Sequence, residues 1–164
     1  PFYKNIVGNQ LSHLRVLKMI ANRDDAFGVV MQDDMLFCDD FKSELELVIE
    51  NWPLDAEIVN VGFHKQAIFD KVISYDLNKQ CEDHIDLAVN SCVGKLKLDV
   101  NPCSSAYIIS KNGAENYLNH IFTNGVYRAT DHEFNDYLKR KDIYYGSRMV
   151  LCTGAQMGSD IFKR

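Results

Sequence analysis

Short apolar runs suited to buried strands alternate along this chain with amphipathic helical stretches. That order predicts an α/β domain, with a mostly parallel central sheet flanked by helices. Composition agrees with a packed core: of 164 residues 46% are hydrophobic and 25% charged, with only 3 Pro and 9 Gly. A chain of this length buries roughly 70% of its unfolded surface without disulfide staples, which predicts one domain over residues 1–164. No linker or internal repeat interrupts it.

Leu11, Leu14, Leu17, Ile20 and Ala21 recur at helical spacing after Gly8 and Asn9, predicting a helix over residues 10–22. Phe27 to Met31 reads as a buried strand ending abruptly at Gln32, Asp33 and Asp34. Asp39 and Asp40 are positioned to cap a helix whose apolar side holds Phe41, Leu45, Val48 and Ile49, and which stops before Trp52 and Pro53. Ile58 to Val61 is the next buried strand. From Gly62 to Asn101 the pattern weakens to loops and short elements, with one strand near residues 72–75. Ala106 to Ile109 resumes as a strand, and Ser110 caps a helix carrying Ala114, Tyr117, Leu118, Ile121 and Phe122. A last helix fits residues 131–141 with Phe134, Tyr137 and Leu138 inward, followed by a strand within residues 143–151.

Eighteen Lys plus Arg against 23 Asp plus Glu leave a net charge of −5 and no basic run, which argues against a nucleic-acid partner. An anionic ligand would need a local device such as a metal ion. The five cysteines are widely spaced and form no C-x-x-C pair, so they read as free thiols of a reducing compartment. No apolar stretch approaches the roughly 20 residues that span a bilayer, and the start lacks the basic-then-apolar order of a signal peptide. These features predict a cytoplasmic chain without a transmembrane segment. Its first residue, Pro1, fits a processed product or a segment of something longer.

The sharpest chemical feature is the Asp33-Asp34 pair at the carboxyl end of a buried strand, the edge where open α/β sheets bind ligands. Adjacent carboxylates there offer hard oxygen ligands to Mg²⁺ or Mn²⁺. Read locally, a solvated turn leading to a helix cap is the stronger explanation of the pair. Ser12 and His13, just after Gly8, fall in the first turn of the predicted helix, where free backbone N–H groups attract anions; a surface helix start is the plainer alternative. Asp131, His132 and Glu133 open another helix, where a carboxylate could act as general base on a hydroxyl or simply cap. Ser159 and Asp160 lie in a Gly-rich final stretch, placed to return to a metal site or to fray. His64, His84 and His120 show no ligand spacing.

Taken in order, these motifs resemble glycosyltransferase family 25, the group of bacterial lipopolysaccharide and animal collagen galactosyltransferases. Gly8-Asn9-Gln10-Leu11-Ser12-His13-Leu14 is similar to its Gly-to-Ser-His stretch. Val30-Met31-Gln32-Asp33-Asp34-Met35 resembles its apolar strand ending in Glu-Asp-Asp, with Gln32 in place of the Glu. Ala106 to Ala114 is similar to its Ala-Tyr-x-Ile/Leu-Ser-x-x-Gly-Ala element, and Thr130-Asp131-His132 and Gly158-Ser159-Asp160 resemble its later aspartate elements. The chain starts at about the Ser-His element, so the resemblance implies one domain lacking the family's N-terminal strand and helix.

The resemblance implies a Rossmann-like A-type glycosyltransferase fold and an inverting, metal-dependent hexosyltransferase. Its donor would be a UDP-hexose of galactose or glucose, and its acceptor a hydroxyl of a glycan or glycoprotein. Asp34 with Asp33, and Asp160 as a further ligand, would hold Mn²⁺ or Mg²⁺. Gly8, Ser12, His13 and Asp33 would line the donor side. Asp131, or next Glu133, would deprotonate the acceptor. A lipid-linked acceptor would require peripheral membrane attachment. The rival readings are a non-catalytic sugar- or nucleotide-binding module derived from such an enzyme, and a metal-dependent phosphoesterase, for which the His and Asp cluster is missing.

Overall fold

The architecture comes from a computed structural model, which describes residues 2–63, 66–68, 71–73, 76–77, 79–80, 82–102 and 104–154. Four helices, α1 (Phe2–Ala21), α2 (Phe41–Glu50), α3 (Lys111–Asn124) and α4 (Thr130–Arg140), accompany eleven short strands among the described residues. The strands are β1 (Phe27–Met31), β2 (Met35–Phe37), β3 (Ile58–Asn60), β4 (Gly62–Phe63), β5 (Gln66–Ile68), β6 (Lys71–Ile73), β7 (Ile85–Ala88), β8 (Val93–Leu96), β9 (Ala106–Ser110), β10 (Tyr145–Ser147) and β11 (Cys152–Gly154).

The main sheet runs β1-β9-β3-β10-β8-β7, and within it only the β3–β10 pairing is parallel. The α/β class stands, but the expected mostly parallel sheet does not. The physical reason lies in β9. The connection through α2 leaves a gap between β1 and β3, and β9 fills it in the reverse direction, Val30 opposite Tyr107 and Ile58 opposite Ile109. A strand buried on both faces reads as the same apolar run in either direction, so the pattern specifies burial and not polarity.

The β1, β3 and β10 strands still point their carboxyl ends the same way, and a small sheet, β2-β11-β4, extends the fold at that end. Helices α1, α3 and α4 pack together, with α3 on β9 and α1 on β1. Leu17 of α1, Ile58 and Val59 of β3, Ile108 and Ile109 of β9 and Leu138 of α4 are fully buried. Each such burial is worth roughly 1.5–3 kcal/mol. Close approach of α1 to the sheet needs Gly28, because a Cβ there would lie 2.5 Å from the Ile20 side chain.

At the end of the sheet where β1 begins, Glu57 ties four elements together. Its carbonyl accepts from the Ser110 backbone N–H at 3.0 Å, and a Cβ on Gly113 would meet that oxygen at 2.5 Å. Its buried carboxylate accepts from Asn116 Nδ2 at 2.8 Å, from the Tyr137 hydroxyl at 2.5 Å and from Lys141 Nζ. Burial and this carboxylate push the Tyr137 phenol upward.

Several local expectations are corrected. The first helix starts at Phe2 and not near residue 10, because Gly8 faces open space and costs a solvated helix only about 1 kcal/mol. Asp40 occupies the N-cap of α2 without a side-chain capping bond, and Ala129, not Asp131, is the N-cap of α4. Ser110 does cap α3, accepting from the Gly113 N–H at 3.0 Å. Phe122 is 78% exposed, since it lies beyond the face formed by Ala114, Tyr117, Leu118 and Ile121. The expected strand within 143–151 is β10, and β11 follows it. Cys38, Cys92 and Cys152 are free thiols, and burial followed by Cys38 pushes Cys152 up to about 12. Cys81, Cys103 and His64 lie outside the described residues. No helix among the described residues is long and apolar enough to cross a membrane.

Candidate functional site

The carboxyl end of β1 turns tightly into β2, and Asp33 and Asp34 form that turn. A backbone bond from Gln32 N–H to the Ser105 carbonyl, 2.8 Å, fixes the strand end against the loop before β9. Just beyond the turn, Met35 is buried and its methyl group lies against Gly62 of β4, where a Cβ would come within 3.0 Å of it and 2.7 Å of the Ala106 Cβ. Met35 pairs with Gly154 of β11, which sets the end of that strand beside the turn. Gly158, Ser159 and Asp160 lie outside the described residues.

Asp33 is exposed. Asp34 is half-buried, and its Oδ1 is fully shielded with no hydrogen-bond partner among the described residues. Leaving a shielded carboxylate oxygen without a donor is costly unless a cation or ligand donor completes it. The donor set is hard oxygen, which suits Mg²⁺ or Mn²⁺. No group of three potential metal-ligating side chains gathers among the described residues.

The second acidic element reaches the same end by another route. Asn101, in the loop before β9, donates from Nδ2 to Asp131 Oδ2 at 3.5 Å and accepts from Asn135 Nδ2 at 2.8 Å. Ser104 in this loop takes the left-handed conformation, φ 49°, an uncommon state for a side-chain-bearing residue and one found near functional turns. Thr130 hydroxyl donates to Asn9 Oδ1 at 2.6 Å, fixing α4 against α1. Glu133 is buried and accepts from the Tyr127 N–H at 3.0 Å, so it holds the turn between α3 and α4. Asp131 is half-buried and has only the long Asn101 contact among the described residues, which leaves it the freer of the two candidate bases. His132 is exposed.

The Ser12-His13 element is not at a helix start. Both residues lie in the body of α1, so free N–H groups do not explain them. Gly8 and Ser12 are exposed, with the Ser12 hydroxyl bonded back to the Gly8 carbonyl at 2.9 Å. His13 points the other way, into the core, where Nδ1 and the Tyr107 hydroxyl are 2.9 Å apart and the rings stack at 5.9 Å. Burial holds His13 below its ordinary value and Tyr107 well above its own. The structure therefore does not gather Gly8, Ser12, His13 and Asp33 into one lining.

Pattern reading missed Asn101, Ser105 and Tyr107, because a polar loop residue or one hydroxyl within an apolar strand carries no periodic signal. It also missed the buried Gln10, whose amide faces the Tyr117 hydroxyl without a hydrogen bond of good geometry. No protein-family model matches the chain, and no curated protein matches it significantly.

Proposed function

We propose that the chain is a metal-dependent inverting glycosyltransferase that moves a hexose, galactose or glucose, from a UDP-sugar to a hydroxyl of a glycan or glycoprotein. The observation that carries this reading is the shielded, unpartnered Asp34 oxygen at the end of β1; Asn101, in the loop before β9, contacts Asp131 of α4. In this reading Asp34, with Asp33, would hold Mn²⁺ or Mg²⁺, and Asp160 is the candidate for a further ligand. The ion, when bound, neutralises charge developing on the departing diphosphate. Asp131 accepts the acceptor's hydroxyl proton as that oxygen bonds the anomeric carbon and the bond to the diphosphate breaks on the opposite side. Asn101 orients the Asp131 carboxylate.

Calorimetric titration of UDP and UDP-hexoses, with Mn²⁺ and then with chelator, tests the assignment. Metal-dependent binding should appear in the parent chain and disappear in Asp34→Ala, while Asp131→Asn binds donor but loses transfer. Full metal-dependent binding by Asp34→Ala would overturn the assignment. Binding without transfer or donor hydrolysis in the parent chain would identify a non-catalytic nucleotide- or sugar-binding module.

A further inference from the structure

Helix α1 presents a solvent-facing side that the candidate site does not use. Val7, Leu11 and Met19 are 54%, 51% and 56% exposed, unusual for three apolar side chains on one helix whose opposite face buries Leu17 and Ile20. At 3.6 residues per turn, Val7, Lys18, Leu11, Arg15 and Met19 fall within about 120° of arc, and Arg23 lies just past the end of the helix. Apolar and cationic side chains thus interleave on one convex surface. Arg15, Lys18, Met19, Asn22 and Arg23 line an open depression on it.

The charge pattern is local. The chain carries −5 overall, yet residues 2–23 contain Lys4, Arg15, Lys18 and Arg23 and no Asp or Glu. Acids resume only at Asp24 and Asp25, beyond the helix. No ion pair among the described residues engages Arg15, Lys18 or Arg23.

We propose that this outward side of α1 docks on an anionic lipid bilayer, Val7, Leu11 and Met19 entering the interface while Arg15, Lys18 and Arg23 meet headgroup phosphates. The interleaving selects this occupant. A polyanion alone would leave the apolar side chains unused, and a protein groove would need a continuous apolar stripe. At a bilayer surface, long cationic side chains lay their stems along apolar neighbours and extend their charges to phosphates. Such contact is shallow and reversible, each cation contributing about fivefold to partitioning. The inference goes beyond the transferase reading and does not rest on it.

Vesicle co-sedimentation of the full chain tests it, comparing phosphatidylcholine vesicles with vesicles holding one-third phosphatidylglycerol. A chain of net charge −5 is repelled on average by the anionic surface, so binding there reports the local face. Binding should be confined to the anionic vesicles, weaken in 0.5 M salt and fall about a hundredfold in Arg15→Gln/Lys18→Gln/Arg23→Gln. Leu11→Ser/Met19→Ser, which keeps every charge, should also lose binding, whereas Lys42→Gln/Lys79→Gln/Arg140→Gln, the same charge change elsewhere, should not. Unchanged circular dichroism verifies folding of each variant. No anionic-vesicle binding by the parent chain overturns the proposal. So does equal loss in the control triple, or full retention in Leu11→Ser/Met19→Ser, which would mark a polyanion-binding surface instead.

Discussion

Two shielded carboxylates at opposite ends of the same sheet have opposite surroundings. Glu57, where β3 begins, accepts from Asn116, Tyr137 and Lys141, and its backbone carbonyl accepts from Ser110. Asp34, where β1 ends, has an oxygen as well shielded but with no donor. A buried carboxylate surrounded by protein donors is part of the scaffold. One with a vacant oxygen at a strand end has coordination left for a ligand, which is why the functional reading rests on Asp34 and not on the better-connected Glu57.

The sharpest way to break the contrast is to remove the saturated carboxylate. Glu57→Ala leaves the Tyr137 hydroxyl, the Asn116 amide and the Lys141 ammonium without their common acceptor and cuts a link between the sheet and both α3 and α4. Removing one partner of a buried network typically costs 3–5 kcal/mol, and because Lys141 is 40% exposed we expect the lower end, about 3 kcal/mol by urea unfolding. A loss under about 1 kcal/mol would mean that Glu57 is no more a scaffold element than Asp34.

Acid should act on the two buried histidines. Burial lowers both His13, against Tyr107, and His84, whose Nε2 lies 2.9 Å from the Ser147 carbonyl. Each is therefore neutral in the fold to a lower pH than in the unfolded chain, where histidine titrates near about 6.5. Above that value their contribution is constant. As pH falls from it toward the depressed folded values, the unfolded chain binds more protons and stability declines, with no further loss from these groups once both states are protonated. Unfolding free energy should thus be lower at pH 5.5 than at pH 7.5, and His13→Gln should flatten that slope while lowering stability at both. An unchanged slope would remove His13 from the account.

The legible parts of the fold were those set by local periodicity. β1, β9, α3 and the inward residues Phe134, Tyr137 and Leu138 of α4 follow directly from apolar spacing and a Ser cap. Strand direction was not legible, because β9 inserts between strands distant in sequence, and neither were β4, β7 and β8, which span two to four residues. The start of α1 was obscured by Gly8, a residue whose effect depends on whether it is solvated or packed. At the site, the aspartate pair stood out by its place after an apolar run. Asn101 and the inward turn of His13 did not, since both depend on contacts across more than thirty positions of chain.

The smallest expected change in stability is the most discriminating. Asp34→Asn removes no described hydrogen bond and relieves the burial of an unpaired charged oxygen, so unfolding free energy in chelator should stay within about 0.5 kcal/mol of the parent or rise slightly. Mn²⁺ should then separate the two proteins. An ion bound only to the folded state stabilises by about 2.7 kcal/mol at a hundred times its dissociation constant, an increment expected for the parent and absent for the variant. A variant that loses stability in chelator would show Asp34 to be a scaffold carboxylate like Glu57. A variant that keeps the Mn²⁺ increment would move the ion elsewhere. Only an unchanged fold together with a lost increment matches a carboxylate kept at a strand end for a ligand, because a scaffold role and a ligand role then pull on different measurements.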